Sequence, residues 1–531
     1  MVKENTSTFK SKTMSLSEKP EFDLTFINDL SQKITSLETG FSMVHHNQVI
    51  PELLKKIEPI DFRLKADLKN SQERLIKNHY IIIVIEEIKR IATNQHWNIC
   101  TKNEDVFVFN GAYWQEIAQS ELESFLSNAA IKMGVDRFDA KYFEYKSRLH
   151  KQFLSDSILQ KTELEKDKVQ INLQNGTFEI TPLCQSLKKF AAEDFITYQL
   201  PFNFNPESKA PIFEKFLNES QPDIERQNVL AEYVAYLFVS PSYLKLEKAL
   251  ILYGKGANGK SVFFEIVMAL LGKENVSNYS LQSLTDSTGY YRAKIGNKLL
   301  NYAPELTSKM STDLFKQLVS GEPIEARLPY KEPFTLINYA KLIFNCNELP
   351  RDIEQTNAFF RRFLIIPFDV QIAPEMQDHE LAKKIIINEL SGIFNWVLKG
   401  LSRLLSQKGF SKCEASESAL KKYQVESDSV QLFLLEEGFL PSTQNHILLK
   451  DIYKEYCGYC QLGNYRPCSN KTFSERLRNN EIILERKGKG YVVYLKKKEF
   501  LITSLDTLSS QKSADSEASV ENEAENKKII L

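Results

Sequence analysis

The residues with the clearest chemistry lie in the segment ALILYGKGANGKSVFFEIVMALLG, at 249–272. It predicts a buried strand over 249–253, a glycine-rich loop, and an apolar-faced helix that Gly272 stops. Glycines let successive backbone N–H groups turn toward a phosphate, and the positive helix N-terminus adds to the attraction. We expect the Lys260 ammonium to reach the β- and γ-phosphates and the Ser261 hydroxyl to ligate Mg²⁺. The predicted phosphate-binding residues are Gly254, Lys255, Gly256, Ala257, Asn258, Gly259, Lys260 and Ser261.

Two further strand ends carry polar side chains that a nucleotide site would need. Glu305 ends the predicted strand at 297–306, and a carboxylate at the C-terminal end of a parallel strand lies beside the phosphate loop. There it could hold Mg²⁺ through water or act as general base, although a solvated glutamate at a strand end fits the pattern equally well. Asn345 and Asn347 follow the strand at 339–350, where either suits a sensor of the γ-phosphate and either could be an ordinary turn residue.

Paired arginines precede the next buried strand, in FFRRFLIIPF at 359–368. A transition state that gathers charge on a transferred phosphoryl group needs a counter-charge, which a neighbouring subunit often supplies. Arg361 and Arg362 could therefore reach the nucleotide of the next subunit, or they could form ion pairs within their own fold. The spacing alone favours neither role.

Composition sets limits on the class of protein. The 531 residues include 68 Lys and Arg against 69 Asp and Glu, for a net charge of −1, and 42% are hydrophobic. This excludes a uniformly basic nucleic-acid coat but not a local basic patch. Seven unevenly spaced cysteines do not form a disulfide framework, so we expect a reducing, cytoplasmic location. No secretory signal or membrane-length apolar run is evident, so no membrane contact is expected.

Changes in periodicity divide the chain into seven predicted segments. The expected fold class is α/β: a nucleotide-binding core with a mostly parallel sheet, preceded by an α+β domain and followed by a small helical and β domain. The predicted segments are a disordered N-terminus over 1–20, a helical region over 21–100, an α+β domain over 101–211, the α/β core over 212–405, a helical connector over 406–429, a basic domain over 430–498 and a disordered acidic tail over 499–531.

The basic domain has the layout of a winged helix. Between 442 and 498 there are 12 Lys and Arg against 5 Asp and Glu. Two predicted helices precede a hairpin with a glycine at its tip, and the second of them, SNKTFSERLRNN, would be the recognition helix in a major groove. A basic surface on a packing domain is the alternative. The predicted DNA-contacting residues are Lys471, Arg476 and Arg478 on the helix and Lys487 and Lys489 on the wing.

Two groups of potential metal ligands have weaker patterns. Cys457, Cys460 and Cys468 lack the fourth ligand of a structural zinc site, so we expect buried thiols. His45 and His46 have no partnering ligand pattern, and we expect both at the surface. Neither group predicts a metal centre.

Taken together, five segments resemble the superfamily III helicases of the phage, plasmid and poxvirus primase–helicase group. In that family the segment equivalent to 315–336 is a hairpin that touches DNA in the pore of a ring, which implies Lys331 as the pore residue and Lys316 and Arg327 as supporting basic positions. Flanking segments resemble the domain before the motor, so the resemblance covers about 100–400. The five segments are GKGANGKS (254–261), NYAPEL (301–306), FKQLVSGEPIEARLPYKEPFTL (315–336), LIFNCNELP (342–350) and FFRRFLIIPF (359–368).

The resemblance implies an ATP-dependent DNA helicase with an AAA+-like P-loop NTPase core, requiring ATP and Mg²⁺. It implies a homo-oligomer, a hexamer moving 3′→5′ on single-stranded DNA, with duplex DNA held by the C-terminal domain. It favours Asn347 over Asn345 as the sensor and Arg362 over Arg361 as the arginine finger. Where several family members carry an acidic pair, this chain has Pro304–Glu305. Residues 1–100 are too short for the family's primase domain, so we expect priming from a separate primase.

Two other functions are compatible with these residues. One is an origin-binding replication initiator whose ATP site controls assembly without processive unwinding. The other is a non-replicative ring NTPase. The ATPase rate with and without single-stranded DNA, alongside strand displacement, would separate them.

Overall fold

A computed structural model describes residues 44–70, 72–102, 105–158, 168–182, 184–350, 353–463, 465–488 and 490–497. The segments predicted to be disordered, 1–20 and 499–531, and the predicted wing residue Lys489 lie outside the described residues. The chain divides into two compact units, described separately below. One comprises the described residues of Met1–Pro350 and Glu354–Tyr423, and the other those of Arg351–Ile353 and Gln424–Leu531.

The first unit begins with helices packed on a three-stranded antiparallel sheet of order β1-β2-β3. Apolar residues at helical spacing bury one face of each long helix, with Val84, Leu122 and Leu149 fully buried. The elements are α1 (His46–Lys56), α2 (Phe62–Lys65), α3 (Lys77–Asn94), β1 (Asn98–Lys102), β2 (Asp105–Phe109), β3 (Trp114–Ile117), α4 (Gln119–Met133), α5 (Arg137–Lys141) and α6 (Phe143–Asp156).

A second antiparallel sheet follows, of order β4-β5-β6, with β4 at Val169–Leu173, β5 at Gly176–Ile180 and β6 at Gln185–Lys188. A turn at Asn175 and Gly176 joins the first two strands, and Gly176 has φ 148°, which a side chain would strain. This sheet shares one hydrophobic core with the elements that follow it, up to Cys413. The predicted boundary at 211 therefore falls within a continuous core.

The centre of the first unit is a five-stranded, fully parallel sheet of order β13-β7-β12-β9-β8. Strands β7 and β13 read as continuous apolar runs, as is typical of parallel strands buried on both faces. The predicted α/β core with a parallel sheet is confirmed. Its strands are β7 (Ala249–Tyr253), β8 (Val276–Ser277), β9 (Leu300–Ala303), β12 (Lys341–Cys346) and β13 (Phe363–Pro367).

The helices around this sheet and one hairpin complete the first unit. The hairpin pairs β10 with β11, antiparallel, and most of its connecting residues are exposed. The elements are α7 (Pro211–Ser220), α8 (Ile224–Tyr236), α9 (Lys260–Leu271), α10 (Leu281–Leu284), α11 (Tyr290–Lys294), α12 (Thr312–Ser320), β10 (Ile324–Ala326), β11 (Phe334–Leu336), α13 (Asn357–Phe360) and α14 (Leu381–Gln407). Helix α15 (Glu414–Ser427) follows.

The second unit has a small core around Phe433, Tyr456 and Phe473. Its element order is helix, strand, strand, helix, helix, then strands, and a three-stranded antiparallel sheet has the order β15-β17-β16. The elements are α16 (Ser429–Glu436), β14 (Phe439–Pro441), β15 (Ile447–Leu448), α17 (Leu449–Leu462), α18 (Asn470–Asn479), β16 (Leu484–Lys487), β17 (Gly490–Val493) and β18 (Leu495–Lys497). Among the described residues, none of the helices combines the length and apolar character that crossing a membrane requires.

Candidate nucleotide-binding site

The glycine-rich loop connects the inner strand β7 to the first turn of α9. Gly256 and Gly259 have φ of 104° and 84°, in the region that disfavours side chains. At Gly254 the φ is ordinary, but a Cβ would lie 2.3 Å from the Asn258 amide and 2.4 Å from the Phe368 carbonyl oxygen. The glycine spacing is thus required by both backbone conformation and close packing. The predicted strand–loop–helix arrangement is present.

Lys260 is a buried cation, with a side chain held inside the loop. Its Nζ donates to the Gly254 carbonyl at 2.6 Å and to Asn258 Oδ1 at 2.9 Å. The Asn258 amide in turn donates to the Phe368 carbonyl at 2.8 Å, which ties the loop to the end of β13. Among the described residues no carboxylate lies within 4 Å of this ammonium, and burial lowers the pKa of Lys260. A buried positive charge with only neutral acceptors favours an anion beside it.

The C-terminal ends of β9 and β12 bring two more groups to the loop. The pKa of the Cys346 thiol is raised to about 12, mainly by burial and also by the nearby Glu305 carboxylate, while a hydrogen bond with the Leu306 backbone and the nearby Lys260 ammonium oppose the rise. Cys346 therefore lies within electrostatic range of both predicted site residues. Glu305 is exposed at the end of β9, and Ser261 is exposed in the first turn of α9. A carboxylate and a hydroxyl supply the oxygen ligands that Mg²⁺ prefers, so these residues fit that ion.

The two asparagines at the end of β12 differ in environment. Asn345 lies within the strand, in register with Leu252 of β7, and its buried Oδ1 has no hydrogen-bond partner among the described residues. Asn347 is exposed just past the strand end. Both are at the edge of the sheet where the loop begins, so the choice of Asn347 as sensor stays a prediction.

The adjacent arginines differ in burial, although the guanidinium groups of both lie within 4 Å of the Glu247 carboxylate, that of Arg362 at 3.8 Å. Arg361 is exposed, with a guanidinium 3.2 Å from the Glu247 carboxylate. Arg362 is buried, and its guanidinium donates to the Lys316 carbonyl at 3.2 Å, to Ser320 Oγ at 3.1 Å and to the Ala358 carbonyl. Because these bonds fasten Arg362 inside its own subunit, it lacks the exposure that a finger needs. Arg361 has that exposure, and the choice between Arg361 and Arg362 as the arginine finger stays a prediction.

A cleft of about 570 Å³ opens beside the loop, and the sequence pattern gave no indication of it. One wall is the loop itself, and the other is the segment after β13, which is joined to the loop by a bond from the Ile372 N–H to the Ala257 carbonyl at 2.8 Å. The only sign of this cleft in the sequence was that its second wall directly follows β13, a strand that pairs with β7. The lining residues are Lys255, Gly256, Ala257, Gln371, Ile372, Ala373, Pro374 and Gln377.

The hairpin residues predicted to touch DNA are mostly exposed. Lys331 and Arg327 lie in the connection between β10 and β11, where the Arg327 Nε donates to the Lys331 carbonyl at 2.9 Å. Lys316 differs, because its ammonium is ion-paired with Asp313 at 2.9 Å and Glu354 at 3.1 Å. Because two carboxylates already neutralise the Lys316 ammonium, it attracts a phosphate only weakly. In this respect Lys316 differs from Lys331 and Arg327.

The buried Arg292 side chain fixes the root of this hairpin. It is 3% exposed and donates to the Glu325 carbonyl of β10 at 2.8 Å, and to the carbonyls of Leu284 and Asp286 at 3.1 and 2.6 Å. No sequence pattern distinguished this arginine from a surface residue. It joins the hairpin to α10 and α11.

In the second unit, the residues predicted to contact DNA also divide into exposed cations and one that is ion-paired. Lys471, Arg478 and Lys487 are exposed. Arg476 is paired with Asp428, the N-cap of α16, at 3.0 Å, so it serves the packing of this unit. Cys460 is buried, and the Tyr456 hydroxyl lies 3.4 Å from the Cys468 Sγ.

The prediction that His46 lies at the surface is wrong. His46 is buried, its Nε2 lies 3.0 Å from the Tyr113 carbonyl, and its ring packs edge-on against the Tyr113 ring. His45, one residue earlier, is exposed as predicted. His46 is buried because it lies on the inner face of α1. A pattern of metal ligands does not indicate which face of a helix a residue occupies.

Comparisons with known proteins agree with this layout. Residues 74–222 match the family described as D5 N terminal like, and residues 252–362 match a family of unknown function, DUF5906. A protein of Acanthamoeba polyphaga mimivirus, L207/L206, provisionally named a helicase, is 27% identical over 205 residues. The resemblance to the phage and viral primase–helicase group is confirmed.

The matches to this primase–helicase group are partial in extent. The alignment with the mimivirus protein covers 36% of this chain and 20% of that protein, so the chain spans about a fifth of its relative's length. Two structures of the NrS-1 C terminal region, one of them described as residues 305–718, each cover 77% of this chain at 13% identity, with TM-scores of 0.41 and 0.43. Scores of this size do not establish a common fold.

Proposed function

We propose that this chain is an ATP-dependent, ring-forming DNA helicase for replication of a phage, plasmid or integrated mobile element. The observation that carries the proposal is the Lys260 ammonium, buried in a glycine loop and without a carboxylate beside it in the described part of the chain. Such a charge is costly unless an anion neutralises it, and the loop's backbone conformation suits a phosphate chain. The similarity to the D5 N terminal like family and to the mimivirus protein supports the same reading.

In this proposal the site's own groups divide the work of hydrolysis. Lys260 exchanges its bonds to Gly254 and Asn258 for bonds to the β- and γ-phosphates. Ser261 and Glu305 hold Mg²⁺, which neutralises charge on the phosphates when it is bound with ATP. Asn347 or Asn345 would orient the attacking water, and the Glu305 carboxylate would accept its proton. The cleft beside the loop has the position and size for the base and ribose.

The arginine pair supports a role for the neighbouring subunit. Arg361 is exposed and would reach the γ-phosphate of the next subunit, stabilising the charge that develops there. Arg362, one residue away, bonds Ser320 and the Lys316 carbonyl at the end of α12, and this helix leads directly into β10 of the hairpin. A displacement of Arg361 would therefore be transmitted through Arg362 and α12 to the hairpin. The ring is proposed to be a homo-hexamer.

The hairpin is the proposed contact with the translocating strand. Arg292 holds its base, whereas Tyr330 at its tip is fully exposed and Lys331 beside it carries an exposed ammonium. An exposed cation on a hairpin that is fixed at its base can bind a phosphate and move together with the hairpin as a rigid body. We propose that each hydrolysis step moves Lys331 along single-stranded DNA.

The second unit is the proposed duplex-binding domain. Its helix order and its β15-β17-β16 sheet suit a winged helix in which α18 is the recognition helix. The exposed cations Lys471 and Arg478 on that helix and Lys487 on the wing would meet phosphates. A separate primase is the proposed source of primers.

Strand displacement on a forked DNA duplex tests the proposal. We expect ATP-dependent displacement and an ATPase rate that rises with single-stranded DNA, both lost in Lys260→Ala. Binding of ATP and duplex DNA without displacement would favour an origin-binding initiator instead. ATPase indifferent to DNA would favour a non-replicative ring NTPase.

A further inference from the structure

Three large aromatic side chains of the N-terminal region face solvent together. Phe138 is 83% exposed, Tyr142 52% and Phe143 69%. They lie where α5 ends and α6 begins, and we call them the aromatic patch. Single exposed apolar residues are common, but several large rings at one place usually mark an interaction site.

The fold does not use these rings for its own stability. Helix α6 buries Tyr145, Leu149 and Phe153 on its inner face, and the aromatic patch is not part of that core. The Tyr142 N–H donates to the Phe138 carbonyl at 3.2 Å, so these residues are one turn apart. The rings of Tyr142 and Phe143 meet edge-on with centroids 4.9 Å apart. The patch is therefore ordered and exposed.

The cations around the patch are not neutralised by acids. Arg137 and Lys141 are exposed and Lys146 is half-buried, and none of them has an ion pair among the described residues of the chain.

The acids nearby are mostly engaged elsewhere. Asp136 caps α5 by accepting bonds from the Phe138 and Asp139 N–H groups at 2.8 and 3.2 Å. Asp139 lies 3.7 Å from the Lys77 ammonium, whereas Glu144 is exposed. Arg137 and Lys141 are therefore exposed cations beside the rings that none of these acids pairs with.

We propose that the aromatic patch is a stacking platform for single-stranded DNA. Bases stack on exposed rings with little sequence preference, and the neighbouring Arg137 and Lys141 suit the phosphates between them. The exposed cations beside the rings distinguish this surface from a purely apolar protein contact.

Binding of a fluorescent 20-nucleotide oligothymidine to the full-length protein, without nucleotide, tests this platform. Each of Phe138→Ser, Tyr142→Ser and Phe143→Ser should weaken binding about tenfold, the change that corresponds to about 1.4 kcal/mol of stacking. Binding to an abasic strand of equal length should be unchanged by these substitutions, because that strand has no bases to stack. Equal losses on both strands would overturn the proposal.

Substitution of a cation should give the opposite signature. Lys141→Ala should weaken both strands alike and reduce the slope of log affinity against log salt by about 0.7. Lys56→Ala, at an exposed lysine of α1, and Ile387→Ser, at an exposed apolar residue of α14, are the matched controls and should change neither strand's affinity.

Two further outcomes would contradict the proposal. A change in sedimentation of the ring in the serine variants, with unaltered oligothymidine affinity, would assign the patch to contact between copies of the chain. Tight binding of a 20-nucleotide oligouridine with no binding of oligothymidine would assign it to RNA. These measurements contain no ATP, so a failure of the proposed ATPase would leave their result standing.

Discussion

The phosphate loop and the hairpin each present a lysine from a tight turn, yet their environments are opposite. Lys260 is 3% exposed and is held by two short hydrogen bonds inside a loop that is itself tied to β13. Lys331 is exposed, on a connection whose bracing lies at its root, through Arg292. A buried, fixed cation suits a ligand that always binds in one place. An exposed cation on a supported arm suits a polymer that moves past it.

The paired arginines repeat this contrast within two residues. Arg361 is exposed and Arg362 is buried among carbonyl and hydroxyl acceptors. The chemistry of the side chain is the same in each pair, so the difference in function must come from burial and partners. Each prediction below therefore changes one member of such a pair.

The largest effect is expected from Lys260→Ala. Removing the ammonium takes away the positive charge on the β- and γ-phosphates, so hydrolysis should fall at least about a hundredfold. The fold should persist, since the buried charge has no carboxylate to leave unpaired. Steady-state ATPase and the far-UV circular dichroism spectrum check these points. Turnover at the wild-type rate would remove the ATP-site assignment.

The next largest effects are expected from substitution of the two arginines, and the two substitutions should have different consequences. Arg361→Ala should retain ATP binding and thermal stability but lose about a hundredfold or more in hydrolysis, because the developing charge loses its partner. Arg362→Ala should instead unfold at lower temperature, by the several degrees that about 2–3 kcal/mol implies, since three buried bonds are lost. Nucleotide binding, ATPase and thermal melts of both variants provide the comparison. The reverse assignment of effects would restore Arg362 as the finger.

Mixed rings sharpen the same point. Lys260→Ala and Arg361→Ala subunits carry defects on opposite sides of one interface, so some interfaces in a mixture contain both intact halves. Partial ATPase should return on mixing. No recovery at any ratio, with co-assembly demonstrated, would count against an arginine acting on the neighbouring subunit's nucleotide.

A smaller effect is expected from Lys331→Ala. No group near the nucleotide is altered, so ATPase without DNA should remain near the wild-type rate, while stimulation by single-stranded DNA and unwinding should fall together by about tenfold. Lys399→Ala, at an exposed lysine of α14, is the matched control. If Lys331→Ala unwinds forked DNA normally, the pore assignment has no support and the initiator reading gains.

His45 and His46 show the same contrast between an exposed and a buried side chain. Their substitution is expected to have the smallest effect, on the pH dependence of stability. Burial lowers the pKa of His46 to about 4, while its bond to the Tyr113 carbonyl opposes the shift. The folded state thus prefers neutral imidazole: stability from this group is full above about pH 6.5 and is lost as pH falls toward 4, by up to about 3 kcal/mol. Urea unfolding at pH 7.5 and 4.5 should show a smaller pH dependence in His46→Gln, but no such change in His45→Gln. Equal pH dependence in His46→Gln and wild type would contradict this.

Local patterns predicted the parts of the fold whose causes are local. The strand, glycine loop and helix around Lys260 could be read from apolar runs and glycine spacing, because backbone conformation there depends on neighbouring residues. The hairpin between β10 and β11 was also expected, through resemblance.

Side-chain partners distant in sequence were not predictable. Lys316 pairs with Glu354, and Arg476 pairs with Asp428, so both cations are engaged in contacts that only the folded chain creates. Arg361 and Arg362 have the same local context, and tertiary packing alone separates them. The cleft wall at 371–377 arises in the same way, from the order of strands in the sheet.

That strand order also has a consequence for synthesis of the protein. Strand β7 pairs with β12 and β13, which begin at Lys341 and Phe363, about 90 and 110 residues after Tyr253. The antiparallel sheets nearer the N-terminus join strands that are adjacent in sequence. On the ribosome, the earlier sheets can therefore form as they emerge, whereas the apolar β7 waits several seconds for its neighbours at about 5–20 residues per second. Among the strands of the parallel sheet, β7 is therefore the one that waits longest for its partners during translation.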